Sequence, residues 1–260
     1  MKGAVARLAR TAWPPLLVFA VIVLGWDIVA NAVHASLSLP GPWFVVSNTW
    51  RDRADLVPAI WTTTQEALLG IVLGIVCALI LAIAVDWSRA VRRSIYPLMV
   101  VSQTIPLIAL APLVIIWFGF GAAPKVVLVA LFTFFAIAVG TIQGLGSTDV
   151  ETMKLLRTMG ATRAQILWRV RLPSALPQFF TGLKVGVTFS YVAAIFAEYV
   201  GATQGLGHYM QVANEYFNTD LVFGAVIVTA LLTLILFALV SVLEHAVIRW
   251  RPPAQADTRW

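Results

Sequence analysis

The feature that most constrains this chain is a series of apolar runs, each about 20 residues long, separated by short polar segments. A run of that length, wound as a helix, matches the ~30 Å of hydrocarbon in a bilayer. Lipid offers backbone groups no partners, so a continuous apolar run crosses it as a helix that satisfies its own N–H and C=O groups. The runs fall at about 13–35, 62–85, 95–118, 126–146, 182–200 and 221–247. With 60% hydrophobic and 12% charged residues and a mean hydropathy of +0.88, the 260-residue chain is too apolar for an ordinary soluble domain. The expected architecture is an all-α membrane protein with six transmembrane helices, forming a single domain over residues 1–260.

Charge placement supplies a topology. All but Arg51, Arg53 and Lys125 of the 18 Lys and Arg residues fall at the amino terminus, in the 86–94 turn, in the 149–173 loop with nearby Lys184, and in the tail. Under the positive-inside rule these segments are cytoplasmic, which puts both termini inside and requires an even number of spans. The net charge of +6 is therefore a membrane signal, and no nucleic-acid partner is expected. The basic start and Ala30-Asn31-Ala32 have features of a cleavable leader, but the run is long and contains Trp26 and Asp27, so a retained first helix is expected.

Residues 36–61 and 201–220 are expected as loops. Gly70 and Gly74 have the spacing that permits close helix packing. The third run is interrupted by Pro97, Pro106 and Pro112 and should be kinked or unwound, which at membrane depth requires surrounding protein or a water-filled cavity. Gln103 and Thr104, beside Pro106, are thus candidate lining of a pathway, together with Phe134 of the fourth run and Ser190 and Tyr191 of the fifth.

The chain lacks the patterns of a self-sufficient enzyme or pump. None of its four lysines stands in a GxxxxGK[ST] phosphate loop, no His/Cys cluster has metal-ligand spacing, and no nucleophile or paired-carboxylate pattern suggests catalysis. The expected runs leave their central thirds without Asp, Glu, Lys or Arg, where carriers driven by an ion gradient usually keep one. Cys77, the only cysteine, reads as a small buried hydrophobe.

The most informative polar segment is 149–173, DVETMKLLRTMGATRAQILWRVRLP. Thr148 or Asp149 can cap a first short helix that aligns Leu155, Leu156 and Met159. Gly160 suits the left-handed residue that ends it. Thr162 and Gln165 have capping-box spacing for a second helix carrying Ile166, Leu167 and Val170 beside Arg163, Arg169 and Arg171. Pro173 and Pro177 are expected to stop that helix and turn the chain. The segment reads as a small apolar ridge framed by cations.

Gly160, nine residues, then Val170-Arg171-Leu172-Pro173 resembles the EAA loop of ABC importer permeases, although Lys154-Leu155-Leu156 stands where the Glu-Ala-Ala would be. Gln103-Thr104-Ile105-Pro106, Ile115-Ile116-Trp117-Phe118-Gly119, Leu172-Pro173-Ser174-Ala175-Leu176-Pro177 and the stretch from Glu198 to Gly207 extend the likeness to permeases of the nitrate/sulfonate/taurine group. Glu198-Tyr199-Val200-Gly201-Ala202, with Asn214 and Thr219 to Phe223, is more similar to permeases for thiamine pyrimidine precursors or riboflavin. The resemblance implies a type I importer fold and a transport subunit that is not an enzyme and binds no cofactor, ATP and Mg belonging to a cytoplasmic ATPase dimer. It also implies a second copy of the chain and an extracytoplasmic binding protein. Leu155, Met159, Gly160, Ala161, Arg163, Ile166, Arg169 and Pro173 would couple to the ATPase. Glu198 would lie at the outer end of the fifth span, either in a gate or binding-protein contact or at a solvated helix end. The expected location is the bacterial plasma membrane.

Overall fold

A computed structural model describes residues 2–32, 39–102 and 105–250. Eleven helices and no strand occur among them: α1 (Lys2–Ala32), α2 (Pro42–Arg51), α3 (Arg53–Trp87), α4 (Arg89–Ser102), α5 (Leu107–Phe118), α6 (Ala122–Gly146), α7 (Val150–Thr158), α8 (Arg163–Ile166), α9 (Leu172–Tyr199), α10 (Leu206–Glu215) and α11 (Thr219–Val247). A π-helical turn, Leu167–Arg171, joins α8 to α9. Four helical stretches are long and apolar enough to cross a membrane: Arg53–Trp87, Ala122–Gly146, Arg163–Tyr199 and Thr219–Val247. Shorter apolar helices occupy Leu17–Ala32 and Ala109–Phe118, so four of the expected runs fall on helices of spanning length and the runs at 13–35 and 95–118 each overlap a shorter apolar helix.

Two compact units are distinguished, Met1–Pro58 with Tyr209–Val228, and Ala59–His208 with Thr229–Trp260. In the first, Trp26 donates its indole N–H to the Pro40 carbonyl at 3.1 Å and stacks on Phe223. Asn48 donates to Asp220 at 2.7 Å, and Tyr209 donates its phenol proton to Asp52 at 2.5 Å. Burial raises the Tyr209 pKa above the usual phenol value, and the hydrogen bond to Asp52 and the charges of Asp52, Asp55 and Asp220 add to the rise.

In the second unit α6 and α9 run antiparallel as the central pair. Their glycines permit contact at backbone distance: a Cβ on Gly140 would stand 2.5 Å from the Gln178 carbonyl, and one on Gly144 would stand 2.8 Å from Ala175. Gly70 and Gly74, whose spacing suggested close packing, seat α3 on Val129 and Thr133 of α6 with no room for a methyl group. Ile71, Ala78, Ile137, Ala138, Leu183 and Val187 are part of the apolar core this creates.

Four expectations need correction. Residues 36–61 are not all loop, because Pro40-Gly41-Pro42 opens α2: Gly41 is extended (φ −66°, ψ 152°) and Pro42 sits in the first turn, where a missing N–H costs nothing. The 201–220 segment likewise contains α10. Pro173 and Pro177 do not end the helix begun at Arg163, which continues to Tyr199. The π turn before Pro173 changes the hydrogen-bond register, with the Leu172 N–H reaching Leu167 O, and so absorbs the ring that would break an α-helical ladder. Finally, Cys77, expected as a small buried hydrophobe, is exposed on α3, while Lys184, at the start of the fifth expected run, pairs with Glu244 close to the end of α11.

The third run is interrupted at Pro106, the N-cap of α5, while Pro97 and Pro112 remain inside helices.

Candidate functional site

The 149–173 segment forms the expected hairpin. Asp149 caps α7 by accepting the Thr152 N–H at 3.0 Å. That bond, with help from the Thr152 hydroxyl, holds the Asp149 carboxyl below the usual carboxylate range. At the other end of α7 the Gly160 N–H reaches Arg157 O and the Ala161 N–H reaches Leu156 O, each at 3.0 Å, closing a Schellman motif. This requires the left-handed backbone found at Gly160, φ +83°. Thr162 and Gln165 then form a reciprocal capping box.

The hairpin's apolar residues divide into two sets. Ile166 and Leu167 are buried and anchor the second helix, while Leu155 (61% exposed), Met159 (75%) and Trp168 (65%) face outward. Ala161 and Pro173 are half-buried, and Arg163 and Arg169 are exposed. Trp168 lies two residues after buried Ile166, which places it on the opposite helix face, a signal already in the spacing. Arg171 donates Nε–H to Leu145 O at 3.2 Å and pairs with Asp86, tying the hairpin's exit to the ends of α6 and α3.

Some 30 residues further along, the far end of α9 carries a buried polar cluster. Glu198 is fully buried, so it is not a solvated helix end. It accepts from the Thr63 hydroxyl at 2.7 Å and from the Gly207 N–H at 2.5 Å. Thr63 also accepts the Leu206 N–H at 2.7 Å. Gly205 (φ +112°) lies so close to the Glu198 carboxylate that any Cβ would overlap it. Beside this, Lys125 pairs with Glu66 at 2.7 Å, both buried. Three ionisable side chains that the sequence scatters over three helices therefore meet in one place.

A cavity of about 470 Å³ opens between the faces of α6 and α9 and is closed in part by Ile105 and Leu110. Phe132, Phe135 and Phe189 line one part, and Gln143, Gln178 and Thr181 another. Ile105, beside the break at Pro106, lines this cavity. Gln103 and Thr104 lie outside the described residues. The other expected lining residues are elsewhere: Phe134 packs on the apolar core, Ser190 is buried and donates to Val187 O, and Tyr191 is buried and donates to Thr64. Pro106 is exposed. Gln143, Gln178, Thr181 and Phe189 were not anticipated, although 178, 181, 185 and 189 repeat at the three-to-four-residue spacing of one helix face.

Residues 70–249 match the family described as binding-protein-dependent transport system inner membrane component. The chain belongs to that family. This permease is 37% identical to the formylaminopyrimidine transport permease protein of Halalkalibacterium halodurans over 91% of its own length and 95% of the relative's. It is 33% identical to the riboflavin transport system permease protein of Chloroflexus aurantiacus (95% and 94% covered) and 29% identical to the taurine transport system permease protein of Escherichia coli (90% and 88%). The fold matches the MetNI methionine ABC transporter in an inward-facing conformation with a TM-score of 0.62, at 20% identity, covering 76% of the permease and 97% of that chain. The permease is thus a membrane protein with the type I ABC importer fold, and ATP hydrolysis belongs to a separate subunit of such systems.

Proposed function

We propose that the whole chain acts as one permease domain, two copies of which form the translocation pathway of an importer in the bacterial plasma membrane, with both termini cytoplasmic. Its cargo is a small polar heterocycle, a thiamine pyrimidine precursor or riboflavin, delivered by an extracytoplasmic binding protein. The observation that carries this reading is the hairpin at Gly160. An exposed trio of Leu155, Met159 and Trp168 on rigidly capped short helices suits insertion into a groove on a cytoplasmic ATPase dimer. Arg163 and Arg169 frame the trio, and the continuous helix from Arg163 to Tyr199 would carry the ATPase's movement across the bilayer as a rigid body. ATP and Mg bind to the ATPase.

The heterocycle is favoured by 37% and 33% identity to the formylaminopyrimidine and riboflavin permeases. A sulfonate such as taurine is the second reading, supported by the 29% identity to the taurine permease. Proteoliposomes containing the permease, its ATPase and its binding protein test both. The proposal expects ATP-dependent uptake of a formylaminopyrimidine or riboflavin that disappears when either partner is omitted. Uptake by the permease alone, or of taurine in preference to both heterocycles, would overturn it.

A further inference from the structure

The cavity between α6 and α9 has two chemically different ends. The glycine contacts fix the antiparallel register, with Gly140 beside Gln178, Gly182 beside Ala136 and Gly186 beside Thr133. Gln143, Gln178 and Thr181 therefore gather toward the hairpin, while Phe132, Phe135 and Phe189 gather toward the middle of the helices. Among the described residues no charged side chain lines the space. The basic groups on flanking stretches of these helices are engaged elsewhere, Lys125 by Glu66, Arg171 by Asp86 and Lys184 by Glu244.

An anion entering here would lose its water and meet no cation in return. The phenyl rings would not compensate, because their faces carry the negative side of the ring quadrupole. A planar neutral ring can stack on those faces. The glutamine carboxamides each present a donor and an acceptor in one plane, the arrangement that pairs in bidentate fashion with the ring-nitrogen and amino edge of a heterocycle. The Gln178 Oε1 atom is buried without a hydrogen-bond partner, so the polar end has an acceptor still to be satisfied. The volume of about 470 Å³ lies within the range of small-molecule sites.

We propose that this cavity is a solute-selecting site that admits a neutral, planar heterocycle with an amide-like or aminopyrimidine edge and rejects small oxyanions. Gln143, Gln178 and Thr181 recognise the edge, and Phe132, Phe135 and Phe189 hold the ring. The inference rests on the permease reading above but adds a place and a charge rule to it.

Thiol protection in the assembled transporter tests it. In a Cys77→Ser background, Val139→Cys, a lining position with no assigned polar contact, is labelled with a maleimide in the presence of riboflavin, a formylaminopyrimidine or taurine at millimolar concentration, with Trp43→Cys on exposed α2, outside the expected spans, as control. The expected result is that at least one heterocycle slows labelling of Val139→Cys severalfold while taurine does not, and that neither affects Trp43→Cys. A second arm measures ATP-dependent uptake by Gln178→Ala and Thr181→Val, each expected to lose roughly tenfold in heterocycle uptake at subsaturating solute, about the worth of one hydrogen bond, while thermal stability is retained. Protection by taurine equal to that by the heterocycles, or no protection by either heterocycle, overturns the site even if ATP-driven uptake is intact. Absence of ATP-driven uptake with heterocycle protection retained would instead count against the permease reading and leave the site standing.

Discussion

The Thr63 hydroxyl lies 2.7 Å from the Glu198 carboxylate and 2.7 Å from the Leu206 amide nitrogen, joining α3, α9 and the start of α10 through one side chain. The Gly207 amide reaches the same carboxylate, so both N–H groups opening α10 are held inside the protein. Thr63→Val keeps the shape and removes both bonds, leaving a buried N–H without a partner. The expected cost is about 1–3 kcal/mol. Thr63→Ser should recover most of it, and thermal melting of the purified permease in detergent separates the two.

Gly205 presses its backbone on the Glu198 carboxylate at φ +112°. Gly205→Ala adds both backbone strain and a clash, and should destabilise more than Thr63→Val does. At Gly160 the backbone is also left-handed, but nothing lies within 4 Å of a Cβ there. Gly160→Ala should therefore cost only the conformational penalty, roughly 1–2 kcal/mol, and Gly160→Asn less, with ATP-driven uptake falling in that order.

Lys125 and Glu66 form a buried ion pair. Lys125→Met strands a carboxylate and should cost about 3–5 kcal/mol. The double variant Glu66→Gln with Lys125→Met should regain most of that loss, the non-additivity expected of a buried pair. Melting temperatures of the two single variants and the double variant measure the coupling.

The Tyr209 phenol donates to Asp52 and has its pKa raised by burial first and by the neighbouring carboxylates second. The unfolded chain loses this proton near pH 10, whereas the folded chain keeps it to higher pH. The stabilisation is therefore complete below pH 10 and declines as pH rises beyond it. Tyr209→Phe should make apparent melting temperature less dependent on pH between about 10 and 11; because the ring is only half-buried, the change in slope should be small.

The six apolar runs and the hairpin were legible in the sequence because each depends on local rules: length against bilayer thickness, a glycine for a positive φ, and Thr162 with Gln165 for a capping box. The prolines misled because their effect depends on register, and the π turn at Leu167–Arg171 supplies a register in which Pro173 is harmless. The polar cluster was hidden for a different reason. Glu66, Lys125 and Glu198 each lie near the end of an expected run and look solvated when taken alone; only the packing of α3, α6 and α9 brings them together. Trp168 and the cavity face of α9 were readable from helical spacing, but the pathway argument drew attention to other residues.

The central claim is that the Leu155–Met159–Trp168 face is the surface gripped by the ATPase. Leu155→Asp should leave the melting temperature nearly unchanged, since that side chain is 61% exposed, but should reduce ATPase co-purification and ATP-driven uptake severalfold. Hydroxyl-radical footprinting of Met159 and Trp168, with and without the ATPase, reads the contact directly. The account predicts that both side chains oxidise readily in the free permease and become strongly protected on assembly, while exposed Trp43 on α2 is unchanged. Equal oxidation of Met159 and Trp168 in the free and assembled states would contradict it.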